Sequence, residues 1–504
     1  PPFAHADAYP TRVRLPGPPL MLVARIMAIE GEAGSLTSGR VITEHDIHPG
    51  AWYLDCGKIP TCIAVEAGQA DLFLSGYLGI DAVTKGLAVY RLLDAEVKFH
   101  RGLPGPGETI SYDIRISRFA RQGDTRIFFF SFESSVSGQP FLSMTNGCAG
   151  FFSAAELAAG KGLVRASMER RPEPRSLPAD WTELAPVHPA GVWESYDDRA
   201  LACLRSGDLA ACFGPAFSLG LKSPIGLPDG RMKLIDRVPE LDLRGGRYGL
   251  GLIKAEADIR PDDWHLVCHF IDDNVMPGTL MYECSLHALR FLLLRLGWVG
   301  ESSEMSYEPL PGTAGRLKCR GQVTAATKKV QYEIHVKELG YRDGVPYALA
   351  DAIMHADGRP IVQMTDMSLR IPGLTAGKLT SLWRGKQSGV AQRPSLPVPI
   401  PLFDAGKILS FAIGKPSEAF GEPYKIFDSG RVIARLPGPP YQFLDRITQI
   451  RGCKPFVLEA GGEIEAQYDV PSDAWYFAAN RTRTMPFAVL LEAALQPCGW
   501  LAAY

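Results

Sequence analysis

His269 and Glu283 are the pair from which chemistry can be read. They stand fourteen positions apart in Cys268-His-Phe-Ile-Asp-Asp-Asn-Val-Met-Pro-Gly-Thr-Leu-Met-Tyr-Glu283. A base is followed by a Pro-Gly turn, and the turn opens an apolar run with one carboxyl in its first turns. A Pro-Gly pair at a helix start leaves backbone N–H groups pointing outward at the positive end of the helix dipole. Such a place can bind a carbonyl oxygen and stabilise a developing enolate. Gly278 is the candidate donor, because a residue without a side chain lets a substrate approach the backbone. His269, read as part of a β-like segment beside the turn, is suited to removing an acidic α-proton. A glutamate inside an apolar helix is predicted to have its pKa raised by desolvation, so that it stays protonated near neutral pH and can donate to a departing hydroxyl. Base, carbonyl-binding helix end and protonated acid together describe β-elimination of water from a 3-hydroxyacyl thioester.

The same turn and helix occur twice more, at Ile59-Pro60…Glu66 and Met485-Pro486…Glu492, and neither copy has a His at the matching place. Internal repeats decide the architecture and are sought first. Arg14-Leu-Pro-Gly-Pro-Pro19 returns as Arg435-Leu-Pro-Gly-Pro-Pro440, with a relative at Gly226-Leu-Pro-Asp-Gly230. Pro60 and Pro277 are 217 positions apart, and Pro277 and Pro486 are 209 apart. The spacing predicts domain-sized units at 1–165 and 216–375, a partial third at 426–504, and linkers at 166–215 and 376–425.

Within a unit the order is legible. A Pro/Gly entry turn leads to short alternating β stretches such as 248–256, then to the Pro turn and a helix of about four turns. Long β stretches follow, at 93–101, 109–119, 125–137 and 141–152 in unit one and at 316–324, 330–339, 346–355 and 361–371 in unit two. The run from Thr279 to Leu296 is apolar on nearly every side, which predicts a buried helix. The expected fold class is therefore α+β, with each unit a strongly bent antiparallel sheet wrapped around one central helix.

Length and composition exclude several function classes. The chain has 504 residues, 46% apolar and 21% charged, with a net charge of −2. That balance carries no electrostatic footprint for nucleic acid or an anionic membrane surface. No apolar run approaches a membrane span. The ten cysteines show no C-x-x-C, which favours reduced thiols in a cytoplasmic setting. The start at Pro1 and the stop at Tyr504 within a helical pattern suggest a piece of a longer polypeptide. No metal is expected: His265 and His269, four apart in a strand, would be about 13 Å from one another. His45-x-x-His48 reads as solvated, and Asp272 and Asp273 as shaping the turn, with either a candidate to orient His269.

His269-Phe-x-x-Asp-x-x-Met-Pro-Gly278 followed by Glu283 resembles the active-site segment of the bacterial 3-hydroxydecanoyl-acyl-carrier-protein dehydratase/isomerase family, which has the hot-dog fold. That family has Asp where the acid is expected; Glu, as in the sister 3-hydroxyacyl-carrier-protein dehydratases, preserves the chemistry. The three ordered motifs, Pro60-x-x-Ile-x-Val-Glu66-Ala-Gly-Gln-Ala-Asp-Leu-Phe73, Met276-Pro-Gly-Thr-Leu-Met-Tyr-Glu283 and Met485-Pro-Phe-Ala-Val-Leu-Leu-Glu492, are similar to the tandem dehydratase region of microbial polyunsaturated fatty acid synthases. The resemblance covers nearly the whole chain. It implies that units one and two form a pseudo-dimeric double hot dog, in which the site takes His from one unit and the acid from its partner's helix. His269 would then face Glu66, while Glu283 would face the mouth of unit one, where Trp52 and Asp55 occupy the region of the absent His. Both Glu66 and Glu283 stay candidates for the acid. The resemblance further implies a substrate on the phosphopantetheine of an acyl carrier protein, no metal or organic cofactor, other synthase domains as partners, and a trans-2-enoyl product. Isomerisation to a cis-3-enoyl product and a homodimer are left open. Unit three, with Glu492 and no His, is expected to be inactive by itself. The rivals are a hot-dog thioesterase, in which a carboxylate activates water or attacks the thioester, and a non-catalytic docking scaffold.

Overall fold

The computed structural model describes residues 4–164, 172–179, 181–187, 193–384, 401–458, 461–471, 474–480 and 484–504. The chain divides into two compact bodies, Pro1–Val390 and Ala391–Tyr504.

The first body holds two units of the same topology. Unit one runs β1 (Arg25–Glu30), β2 (Gly39–Asp46), α1 (Thr61–Glu66), α2 (Asp71–Tyr77), α3 (Ile80–Thr84), β3 (Ala88–Phe99), β4 (Thr109–Gln122), β5 (Thr125–Val136), β6 (Gln139–Ser153) and α4 (Ala154–Ala159). Unit two runs β7 (Glu194–Tyr196), α5 (Asp198–Arg205), α6 (Leu209–Phe213), β8 (Arg237–Asp242), β9 (Leu252–Asp258), α7 (Trp264–Cys268), α8 (Gly278–Arg295), β10 (Ala314–Cys319), β11 (Lys329–Arg342), β12 (Val345–Ala356), β13 (Arg359–Arg370) and α9 (Ala376–Trp383). All thirteen strands join one antiparallel sheet in the order β1-β2-β4-β5-β6-β3-β10-β13-β12-β11-β9-β8-β7. The series β2-β4-β5-β6-β3 is matched by β9-β11-β12-β13-β10. The two halves meet at β3 and β10, in register from Ala314 against Lys98 to Lys318 against Asp94. The fold is thus a double hot dog.

Helix α8 is the buried helix of unit two and lies against β9, β11, β12 and β13. Pro277, extended at ψ 138°, sets its start. Gly297 at φ +98° ends it in the left-handed region that suits glycine. The Trp383 indole donates to the Gly297 carbonyl at 2.8 Å, so α9 closes that end. Leu289, Phe291, Leu292, Leu293 and Leu294 have essentially no exposure, each contributing about 1.5–3 kcal/mol by leaving water. Two buried cations stand among these apolar residues. Arg290 pairs with Asp55 at 2.5 Å, and Arg295 pairs with Glu194 at 2.6 Å.

Three expectations are corrected. The helix of unit one is not four turns long. The Tyr112 hydroxyl donates to the Ala64 carbonyl at 2.7 Å, taking the acceptor that the Gly68 N–H would use. Gly68 and Gln69 bond three residues back instead, and α1 stops at Glu66. Tyr112 and Phe132 crowd Gly68, where a Cβ would lie 2.7–2.8 Å from their rings. The stretch 166–215, expected as a linker, carries β7, α5 and α6, and Tyr196 packs edge-on to Phe291 of α8 at 5.0 Å. Within 376–425, α9 buries Leu379 and Trp383 in the core of the first body.

The second body contains α10 (Ala405–Ile413), α11 (Pro416–Phe420), β14 (Arg446–Arg451), β15 (Glu463–Gln467), α12 (Trp475–Asn480) and α13 (Phe487–Ala503). Its core gathers Phe403, Phe411, Phe420, Tyr424 and Trp500. Helix α13 starts after Pro486, extended at ψ 142°, as α1 and α8 start after theirs.

Candidate active site

His269 follows α7 directly as its C-cap residue, with φ −129° and ψ 84°. It is therefore in a helix-to-turn corner, and the β-like reading is corrected. The reason is local: the Leu266 and Val267 amides bond back to the Asp263 carbonyl, forming a short helix rather than a ladder. His265 lies on that helix, so the strand spacing used against a metal does not apply to it; among the described residues no cluster suited to a metal ion occurs. The loop after His269 is closed by the Phe270 N–H to the Asp273 carbonyl at 2.6 Å, the Asp273 N–H to the Phe270 carbonyl at 3.1 Å and the Val275 N–H to the His269 carbonyl at 2.8 Å. His269 Nδ1 lies 2.8 Å from the Val275 carbonyl oxygen. A carbonyl can only accept, so Nδ1 carries the hydrogen and Nε2 keeps its lone pair. Val275 thus orients the ring. Neither aspartate bonds the imidazole itself: Asp272 pairs with Arg12 and Asp273 with Arg91.

Nε2 faces Glu66 Oε1 of unit one at 3.9 Å, too long for a direct hydrogen bond. Glu66 is the last residue of α1, and its other oxygen accepts the Thr279 hydroxyl in the first turn of α8. Burial pushes the Glu66 carboxyl up to about 7, against a smaller downward pull from Thr279. Burial lowers His269 to about 4, opposed in part by its bond to Val275. Neutral base and protonated acid therefore coexist near neutral pH. Gly278 opens α8 beside them and lines the same cavity, together with Gln69, Tyr90, Arg91, Met276 and Gln322. A Cβ at Gly278 would make ordinary contact with Leu92 at 3.7 Å and Leu317 at 3.8 Å. A second, apolar cavity shares Gln69 and Leu92 with this one and continues between Val65, Ala95, Val97, Phe99, Met144 and Leu317 under the seam between β3 and β10.

Glu283 is elsewhere. Its Oε2 accepts the Cys62 N–H at 2.9 Å, in the first turn of α1, and its Oε1 lies 3.5 Å from His287 one turn on. It lines a separate small cavity with Asp55, Arg290 and Tyr307. The arrangement mirrors the first site, with a carboxyl from one unit at the helix start of the other, but Arg290 and Asp55 stand there in place of an imidazole loop. Burial would raise Asp55, and the Arg290 charge overcomes that and holds it below the usual carboxylate range. Trp52 is turned away, edge-on to Trp264 at 5.0 Å. His45, expected to be solvated, is buried between the Leu22 carbonyl at 2.7 Å and the Tyr53 hydroxyl at 2.9 Å. In the second body Glu492 accepts from Gln496 at 3.2 Å, and residues 391–504 contain no histidine.

The sequence brought out His269, Gly278, Glu66 and Glu283. It did not bring out Gln69, just past α1, or Tyr90, Arg91 and Gln322, which reach the site from other parts of the chain. Of the overlooked groups, Thr279 and Gln69 lay inside the quoted motifs.

The fold and this site define a double hot dog whose imidazole and carboxyl come from different units. The profile of the FabA-like domain matches residues 15–144 and 227–365, one match in each unit, and the chain belongs to that family. Over 362 residues it is 35% identical to one of the subunits of a polyunsaturated fatty acid synthase from a Thraustochytrium species, covering 70% of this chain and 24% of that protein. The chain thus matches over about a quarter of that relative's length. Among solved structures, the dehydratase domain from the CurJ module of the curacin polyketide synthase aligns at 9% identity with a TM-score of 0.33, covering 72% of this chain and 98% of its own. A 12:0-ACP thioesterase from Umbellularia californica aligns at 8% identity with a TM-score of 0.32, covering 66% and 94%. Dehydratase and thioesterase score alike, so these likenesses decide nothing about the chemistry.

Proposed function

We propose that the chain dehydrates 3-hydroxyacyl thioesters to trans-2-enoyl thioesters, in the assembly of polyunsaturated or polyketide-like acyl chains. The observation that carries this reading is the His269 Nε2 lone pair held 3.9 Å from a buried Glu66 carboxyl, both beside the start of α8. The thioester oxygen binds the Gly278 N–H, which stabilises the enolate as Nε2 removes the C2 proton. The electron pair left at C2 forms the C2–C3 double bond and expels the C3 hydroxyl. Glu66 gives that hydroxyl its proton, and water leaves. The proton on His269 then returns to Glu66, which restores both groups. The apolar cavity under the seam has the chemistry to hold the acyl tail. Removal of a C4 proton from the trans-2-enoyl product by the same base, with a proton returned at C2, would give the cis-3-enoyl isomer.

The family and the synthase relative support a substrate carried on the phosphopantetheine of an acyl carrier protein, with other synthase domains as neighbours. The chemistry needs no cofactor beyond that carrier arm. Ten unpaired cysteines suit a cytoplasmic setting. Unit one supplies the acid, unit two the base, and unit three, without histidine, has no such site of its own. Thioester hydrolysis is the rival reading. It needs an ionised carboxylate beside the thioester, whereas Glu66 is held protonated up to about pH 7. Incubation with a 3-hydroxyacyl thioester separates the two. Ultraviolet absorbance of a conjugated enoyl thioester, without release of free thiol, is expected; thiol release without enoyl product would overturn the proposal.

A further inference from the structure

We infer that Arg91 of unit one is a positioning residue for His269 of unit two, acting through Asp273; the inference rests on the dehydration reading above. The loop that carries His269 is tied to unit one at three points. The Gly17 N–H donates to the Cys268 carbonyl at 2.8 Å, Arg12 meets Asp272 at 3.2 Å, and Arg91 grips both Asp273 oxygens at 2.5 and 2.9 Å. Of the two ion pairs the Arg91 pair is the more buried, with side chains 12% and 15% exposed against 29% and 19%. A forked guanidinium on a carboxylate fixes direction as well as distance.

Arg91 is itself held. Its Nε donates to Gln322 at 2.7 Å and its Nη1 to the Tyr90 carbonyl at 2.6 Å. It stands on β3, the strand that forms the seam with unit two. Asp273 is the hinge of the loop, because its backbone bonds Phe270 in both directions and Val275 lies two residues on. Moving Asp273 therefore moves both ends of the bond from His269 Nδ1 to the Val275 carbonyl. The Arg91 charge also disfavours a proton on the imidazole.

The test uses the whole chain and a 3-hydroxyacyl pantetheine thioester. Asp273→Asn keeps the size of the side chain and the backbone bonds of the loop. Arg91→Met and Asp273→Asn are expected to lose about 10²-fold in kcat with KM within about threefold of the wild type. Exchange of the charges, Arg91→Asp with Asp273→Arg, is expected to recover a large part of that loss. Should Arg91→Met fail to fold, Asp273→Asn decides. Full kcat in Asp273→Asn overturns the inference. So does a rise in KM with kcat intact, which would make Arg91 a substrate-binding group. A readout independent of turnover is the slowly exchanging Nδ1–H resonance of His269 in protein labelled with 15N-histidine. It is expected in the wild type and lost or broadened in Asp273→Asn; its persistence there contradicts the inference. Failure of the wild type to form enoyl product would instead overturn the dehydration reading, with the resonance still reporting on the tie.

Discussion

With His269 lowered to about 4 and Glu66 raised to about 7, the competent pair is neutral imidazole and protonated carboxyl. Turnover is therefore expected to be level between about pH 4 and 7 and to fall above pH 7, as a kcat–pH profile would show; a rate that climbs through pH 7 would contradict the assignment. The same shifts bear on stability. For Glu66 the native state keeps its proton between 4.5 and about 7 while the unfolded chain has lost it, so stability is lost as pH rises through that window. For His269 the unfolded chain gains a proton below 6.5 while the native state refuses it until about 4, so stability is lost as pH falls through that window. Glu66→Gln removes the first effect, and at pH 8 it is expected to stabilise the first body by about 3 kcal/mol in urea unfolding. Which carboxyl faces His269 was legible only through the resemblance. Glu66 and Glu283 look equivalent along the chain, and the difference lies in what stands at each helix start, an imidazole loop for one and Arg290 with Asp55 for the other.

Among the elements, α8 was legible because a helix buried on all sides needs little but apolar residues and a Pro-Gly start. The break after α1 was not, since it depends on a hydroxyl from β4 reaching Ala64. The corner at His269 was misread for a similar reason: Trp264-His-Leu-Val-Cys268 has the β-branched and aromatic content of a strand, yet its amides bond back to Asp263. The pairing of the α8 cations was not legible because their partners, Asp55 and Glu194, lie more than a hundred residues away. Breaking a buried pair leaves a charge without compensation and costs about 3–5 kcal/mol. Arg295→Met is expected to destabilise the first body on that scale in urea unfolding, and Arg295→Met with Glu194→Gln markedly less. Equal losses would mean that the cost does not come from leaving Glu194 without its partner.

At the scale of the whole molecule, the seam between β3 and β10 makes one sheet of two units and places the apolar cavity between them. Val97 on β3 lines that cavity beyond Leu92, which borders the His269–Glu66 site. Val97→Trp is expected to lower kcat/KM for long 3-hydroxyacyl thioesters by about 10-fold or more while sparing four-carbon substrates; an equal loss at every length would place the acyl tail elsewhere. The central claim is that base and acid come from different units. It is tested most directly by conversion of a 3-hydroxyacyl thioester with the wild type, His269→Ala, Glu66→Gln and Glu283→Gln, each checked for folding. The account predicts losses of about 10²–10⁴-fold in His269→Ala and Glu66→Gln and near wild-type turnover in Glu283→Gln. A dead Glu283→Gln beside an active Glu66→Gln would contradict it, and so would full activity in His269→Ala.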